Sequence, residues 1–313
     1  MAKDRILVIG ASGQIGSVLT DALRNQYGEL NVVASDIRLP ADHYGIFETL
    51  NILDTNRLTE IVDHYQINQI YHLAAILSAK GEANPRGTWD FNMNSLFNVL
   101  ELSKEKNIAK LYFPSSIAVF GNDAPKQNTP QNAVLNPSTI YGMSKVAGEH
   151  WSQYFWNRYH LDIRSLRYPG IIGYQSLPGG GTTDYAVDIY HKAINNEHFN
   201  CFLSENTRLP MCYMDDAIRA TLELMEADAS KLSIRSSYNL SGMDFTPAEI
   251  AKSIQKEIPD FTISYEPDFR QAIAESWPQS INDEAARNDW GWKPKFDLDK
   301  MTKDMLLHLK KNS

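Results

Sequence analysis

The sequence predicts an α/β fold: a doubly wound parallel sheet with a smaller, mostly helical part on its C-terminal side. Three observations carry this. Short β-branched runs alternate with longer helical patterns through the first half, as parallel strands joined by right-handed crossovers do. A glycine-rich turn, Gly10-Ala11-Ser12-Gly13-Gln14-Ile15-Gly16, directly follows the first run. After Tyr168 the texture changes, because Pro169-Gly170 and then Leu177-Pro178-Gly179-Gly180-Gly181 break the alternation.

In chain order, strands are expected over 5–9, 31–35, 46–50, 69–73, 110–115 and 162–167, and helices over 15–27, 55–64, 88–106 and 142–159. Asp54 is placed to cap the second of those helices. A helix over 214–227 and a strand over 236–240 return to the sheet. The segments 246–258, 262–266, 268–276, 283–290 and 298–309 complete the smaller part. The expected division is a dinucleotide-binding domain over 1–168, returning at about 214–240, and a substrate lobe over 169–213 and 241–313.

The chain's 313 residues suffice for one large or two smaller domains. Thirty Lys and Arg against 38 Asp and Glu leave a net charge of −8. Without a basic run, this excludes nucleic acid as the expected partner, since phosphate affinity rests on clustered cations. Cys201 and Cys212 have neither disulfide-framework nor zinc-ligand spacing, and a reducing compartment is the default. Ile6–Ile9 is far too short for a signal core, and no apolar stretch approaches a membrane span. A soluble, cytoplasmic protein is expected.

The glycine-rich turn has the means to hold a pyrophosphate: a tight turn, close backbone approach and the positive end of a helix. Its GxxGxxG spacing is weak evidence alone, since any α/β protein has tight turns. Asp36, twenty residues past Gly16, ends the second strand where an acid accepts bonds from a ribose 2′-hydroxyl. Its carboxylate would repel a 2′-phosphate, so NAD is favoured over NADP. Arg38 reads as a solvated loop cation.

Tyr141 and Lys145 stand at i and i+4, on one face of a helix. A phenol with a pKa near ~10 is a poor base at neutral pH, and a held cation favours its phenolate. Lowering that pKa by ~3 takes about 4 kcal/mol of differential stabilisation. The spacing alone equally suits a surface pair. Ser116, at a strand end 25 residues upstream, adds a hydroxyl to orient a substrate oxygen. Together these suggest proton removal from an alcohol coupled to hydride transfer to NAD.

These residues, with His72-Leu73-Ala74-Ala75 and Asn92, resemble the extended short-chain dehydrogenase/reductase superfamily over roughly residues 5 to 240, close to its nucleotide-sugar epimerases. The resemblance implies that Tyr141 is the base, that Lys145 binds the nicotinamide ribose and lowers the tyrosine pKa, and that Ser116 holds the reacting hydroxyl. It implies cofactor contacts from Gly10, Ser12, Gly13, Gln14, Ile15 and Gly16, from Asp36 and Ile37, and from Leu73, Ala74 and Ala75. Asn92 matches an asparagine near the nicotinamide, or is a polar contact inside a helix. Tyr168, Pro169 and Ile171 complete the cofactor set. Asn51-Ile52 departs from the acidic residue often found at the adenine, though an amide still bonds the adenine amino group.

Two substrate readings compete, with a non-catalytic NAD-binding scaffold as a third that the intact Ser/Tyr/Lys set disfavours. Arg208 matches a diphosphate-binding arginine of UDP-sugar 4-epimerases, or is a structural ion pair. Gly170 stands where those enzymes carry an asparagine. The stretches 75–82, 180–187, 275–280 and 289–292 resemble instead the short-chain L-threonine 3-dehydrogenases. That resemblance implies oxidation of the 3-hydroxyl of L-threonine to 2-amino-3-oxobutanoate. Gly180, Thr182 and Thr183 open a helix that suits a carboxylate, and Ser78 adds a donor. Asp184 accepts from an ammonium group or caps that helix, and Trp277 closes over a methyl group or is core. His72 reads as a satisfied core histidine, and no cluster has metal spacing. The aromatic 151–159 segment is core or subunit interface. The resemblance implies a homodimer built on the 88–106 and 142–159 helices, with Phe97, Leu100, Trp151 and Phe155 as apolar candidates.

Overall fold

The computed structural model describes residues 4–41, 43–177, 179 and 181–311. The first half runs β1 (Ile6–Ile9), α1 (Gln14–Tyr27), β2 (Val32–Asp36), β3 (Phe47–Thr49), α2 (Thr55–Tyr65), β4 (Gln69–His72), α3 (Ser78–Gly81), α4 (Pro85–Glu105), β5 (Lys110–Tyr112), β6 (Ser115–Ser116), α5 (Ile140–Tyr159), β7 (Ile163–Arg164) and β8 (Leu166–Tyr168). Six strands form a parallel sheet in the order β3-β2-β1-β4-β5-β7. Alternate residues of β1 serve the two faces. Ile6 and Val8 pack with Leu19 and Leu23 of α1, and Leu7 and Ile9 pack with Leu58 of α2 and Leu96 of α4. Burial on both sides is why this strand reads as an unbroken apolar run. The strand order reverses between β1 and β4, which opens a crevice beyond their carboxyl ends.

Two expected strands are each divided. The 110–115 run ends as β5 at Tyr112, because Pro114 lacks an N–H for the ladder, and Ser115–Ser116 joins β8 in a second parallel set. The 162–167 run likewise splits into β7 and β8 at Ser165. The 88–106 helix starts earlier, at Pro85, where the Asn84 side chain accepts from the Gly87 amide at 3.1 Å.

The remainder runs β9 (Gly170–Ile172), α6 (Tyr185–Ile194), β10 (Phe199–Cys201), β11 (Leu209–Tyr213), α7 (Met214–Glu226), β12 (Tyr238–Asn239), β13 (Met243–Phe245), α8 (Pro247–Glu257), β14 (Ile263–Tyr265), α9 (Arg270–Ser276), α10 (Glu284–Trp290) and α11 (Leu298–Lys311). β12 does return, pairing with β8. The β13-β11-β9 sheet and the β10-β14 pair add strands to a part expected to be mostly helical. Four of those five strands have only three residues, too few for a periodicity to register. Ile117, Val119 and Phe120, just past β6, pack with Tyr185 and Tyr190 of α6, Ile250 of α8 and Met305 of α11.

Two expectations need correction. Thr182 and Thr183 lie in a turn that precedes α6 rather than in its first helical positions. Of the candidate interface residues on α4 and α5, Leu100 and Phe155 face the sheet and are buried within the chain, while Phe97 is half-buried and Trp151 reaches the surface. Gly180 lies outside the described residues. No described helix is long and apolar enough to cross a membrane.

Candidate active site

A cavity of about 250 Å³ lies beyond the carboxyl ends of the strands, between the sheet and the second part. Gly10, Gly13, Gln14, Ile15 and Gly16 line one end. Gly10 has φ +86°, and a Cβ there would stand 2.8 Å from the Ala74 nitrogen; a Cβ on Gly16 would meet the Gly10 carbonyl oxygen at 2.1 Å. Only glycines allow the turn after β1, the start of α1 and the segment after β4 to approach so closely. Gly13, the N-cap of α1, offers no side-chain oxygen to the first-turn amides. Those donors and the positive helix end remain available to an anion. Asp36 ends β2 and accepts from the Ser12 amide at 3.0 Å and from Ile37 at 2.7 Å, leaving carboxylate lone pairs for further donors. Cradle, uncapped helix and acid together fit a dinucleotide with an unmodified ribose.

Other residues assigned to that end serve differently. Ile37 is exposed beside the acid, and the Asn51 side chain accepts from its own loop at Leu53 N, 3.1 Å away. Ile52 is buried in the core between α2 and α4, so its side chain does not face the crevice. Leu73, Ala75, Tyr168, Pro169 and Ile171 line the cavity; Ser12, Asp36, Ala74 and Asn92 do not. Asn92 is buried on α4, where it bonds both backbone groups of Ile76 and donates to the Ser144 hydroxyl at 3.1 Å. It therefore fixes the segment between β4 and α3 against α5.

Ser116, Tyr141 and Lys145 meet at the centre of the cavity. The Thr139 side chain caps α5 by accepting from Gly142 at 3.1 Å, which sets Tyr141 in the first turn and Lys145 one turn on. The Lys145 Nζ donates to the Pro114 carbonyl at 2.7 Å and lies 4.4 Å from the Phe113 ring centre. Burial pushes the Tyr141 phenol up to about 12, and the hydrogen bond from Ser116 opposes that only in part. Burial also lowers Lys145 to about 7, against the raising field of Glu149. The protein by itself thus holds a neutral phenol, and the cation that Lys145 offers a phenolate is itself weakened by burial. His72 is buried and pushed down to about 3 by desolvation, with Lys145 adding to the effect. It is a core histidine, but its Nδ1 has no partner among the described residues, so it is not a satisfied one.

At the far end stand Leu77, Ser78, Gly181, Thr182, Thr183, Asp184 and Trp277. Thr182 Oγ1 and Trp277 Nε1 are buried without a hydrogen-bond partner among the described residues. Asp184 accepts from the Gly181 amide at 2.8 Å, bracing the turn before α6. Arg208 is committed to Asp244 and Glu249, at 2.6 Å each, and lies outside this cavity. Sequence reasoning missed Leu77, Pro114, Ile117 and the fit of Gly170, where a Cβ would stand 2.8 Å from Thr183 Cβ. It also missed the buried ion pair of Glu149 and Arg167 behind the site. Only the i+8 spacing of Glu149 from Tyr141 could have signalled it.

Known proteins agree with this geometry. Residues 6–240 match the NAD dependent epimerase/dehydratase family. An uncharacterised epimerase/dehydratase of Staphylococcus aureus strain USA300 is 47% identical over 307 residues, spanning 96% of this chain and 95% of its own. An L-threonine dehydrogenase from Cupriavidus necator, in its holo form, is 52% identical with a TM-score of 0.96, over 97% of this chain and 99% of that one. A monomeric L-threonine 3-dehydrogenase from a metagenome, in its apo form, is 50% identical with a TM-score of 0.96, over 98% and 99%. The cofactor of this protein is NAD. Its fold, crevice and Ser/Tyr/Lys set have one common explanation: the chain belongs to the NAD dependent epimerase/dehydratase family, within the extended short-chain dehydrogenases and reductases.

Proposed function

We propose that this protein is an NAD-dependent L-threonine 3-dehydrogenase, oxidising the 3-hydroxyl of L-threonine to 2-amino-3-oxobutanoate. The observation that carries this reading is the far end of the cavity. Thr182 Oγ1 and Trp277 Nε1 are buried there with no hydrogen-bond partner among the described residues. A buried unsatisfied polar group costs about 1–3 kcal/mol, and two in one pocket mark a place completed by a ligand. The space suits a small zwitterion. Ser78 and Thr182 are donors for its carboxylate, with Thr183 beside them, Asp184 is an acceptor for its ammonium, and Trp277 covers its methyl group. The threonine dehydrogenases that resemble the whole chain support the same substrate.

Bound NAD+ supplies the hydride acceptor and a positive nicotinamide ring. Tyr141 first loses its own phenolic proton to solvent; as a phenolate it then takes the proton of the substrate hydroxyl, which Ser116 orients, while the hydride leaves C3 and the C3–O bond becomes a carbonyl. Lys145 lies beside the phenol and loses part of its burial cost when a phenolate forms next to it. Asp36 favours NAD over NADP. An epimerase reading is weaker, because Gly170 leaves no room for a side chain beside Thr183 and Arg208 is neutralised by two carboxylates.

The substrate lobe is assigned to 169–213 and 241–313, against the cofactor domain of 1–168 and about 214–240. A homodimer through α4 and α5 is supported by Trp151 and Tyr154, 36% and 48% exposed on one helix. A cytoplasmic location is in keeping with the two free cysteines, Cys201 and Cys212. The deciding assay is NADH absorbance with L-threonine and NAD+, against UDP-galactose with an epimerisation readout. NADH production from threonine supports the proposal; its absence, with turnover of UDP-galactose, rejects it.

A further inference from the structure

Two successive residues, Pro114 and Ser115, are fastened to two residues of α5 spaced four apart, and Ser116 follows them directly. The Pro114 carbonyl accepts from Lys145 at 2.7 Å and Ser115 Oγ donates to Glu149 Oε1 at 2.5 Å, while Ser116 and Tyr141 line the same cavity. Tyr141, Lys145 and Glu149 fall on one helical face, so a single stripe of α5 carries both fastenings and the phenol. Glu149 is fully buried and fully committed. Its two oxygens accept from Arg167 Nε at 2.9 Å and Nη2 at 2.8 Å as well as from Ser115. Arg167 stands opposite Ser115 in the β6–β8 ladder, and its other donor reaches the Gln131 carbonyl and Asn239 Oδ1.

We propose that Glu149 is a positioning residue of the reaction, acting through Ser115 on the placement of Ser116 and through its charge on Lys145. The inference rests on the dehydrogenase reading for its kinetic consequence. Ser115 is tethered to Glu149 while its chain neighbour Ser116 lines the cavity with Tyr141, so a loose Ser115 loosens Ser116. Misplacing a catalytic group by a fraction of its reach is costly in rate. The charge argument concerns Lys145, whose surroundings are poor in anions. Tyr141 on the same helix is a neutral phenol, His72 on β4 is neutral, Pro114 offers only a carbonyl, and Arg167 on β8 is spent on Glu149. Among the groups that act on Lys145, Glu149 is the one that favours its ammonium form.

Two variants separate the two routes. Ser115→Ala leaves the buried ion pair intact and should lower kcat for threonine by about 10- to 100-fold, with the KM for NAD within about twofold. Ser115→Thr, which retains the hydroxyl, should restore it. Glu149→Gln is read on the apo protein by 13Cε-lysine NMR, with the Lys145 resonance assigned by its loss in Lys145→Ala. Its titration midpoint should fall by at least about one pH unit from that of wild type. Unchanged kcat in Ser115→Ala overturns the inference whether or not Glu149→Gln folds. An unchanged Lys145 midpoint in a folded Glu149→Gln overturns it too. If wild type leaves threonine untouched, the dehydrogenase reading fails alone, and the NMR titration still decides the role of Glu149.

Discussion

Tyr141 is the residue on which the proposed chemistry turns. Burial pushes its phenol up to about 12, so it gives up its own proton, and becomes able to accept another, only with help from cations around it. General-base catalysis is usually worth about 10²–10⁴-fold, and Tyr141→Phe should depress kcat by at least that range while NAD affinity changes little. The wild-type pH profile should rise with an apparent pKa well below 12, and that limb should vanish in the variant; near-wild-type turnover with the limb intact would assign the base elsewhere. His72 sets a different pH dependence. Its folded pKa near 3 lies below the ordinary 6.5, so the neutral ring stabilises the fold fully above pH 6.5, and that contribution is lost as pH falls towards 3. The total is on the order of 5 kcal/mol. Chemical denaturation at pH 7 and pH 5 should therefore show a smaller acid loss for His72→Phe than for wild type.

At the scale of elements, the site depends on how closely backbones approach. Gly170 opens β9 directly against Thr183, with Met211 on its other side. Gly170→Ala should raise the KM for threonine by about tenfold or more, the cost of a displaced pocket wall, with the KM for NAD nearly unchanged. Equal effects on both constants would mean that the strand itself had moved. The same elements show how much could be read beforehand. The glycine turn, Asp36 and the Tyr141/Lys145 pair are local patterns, fixed by spacing on a helix or at a strand end, and they fell where expected. The Ile52 side chain belongs to the core, and an apolar residue at the adenine position looks the same in sequence whichever way it faces. Leu100 and Phe155 pack on the sheet, and in sequence they look like Phe97 and Trp151, which stand about one turn away on the same helices and are less buried. Glu149 and Arg167 were invisible because their meeting depends on the β6–β8 register, set by a break at Pro114 that the run of apolar residues conceals.

For the whole molecule, assembly and cooperativity are the open quantities. Light scattering at micromolar concentration should give about twice the chain mass of 35.5 kDa; a single-chain mass would place this protein with the monomeric relative. Trp151→Lys should shift the balance towards monomer without changing the unfolding midpoint of the isolated chain, because Trp151 is at the surface.

Ile117–Phe120 begins one residue after Ser116, yet its side chains belong to the core formed by α6, α8 and α11. The boundary at residue 168 is therefore one of topology and not of autonomy. A fragment spanning 1–168 would carry Ile117, Val119 and Phe120 without the helices that cover them, and should be recovered as aggregate rather than as a free NAD-binding module. By the same reasoning, scanning calorimetry of the whole chain should trace one endotherm, in which cofactor end and substrate end melt together. Two separated transitions would show that the lobes hold themselves up independently.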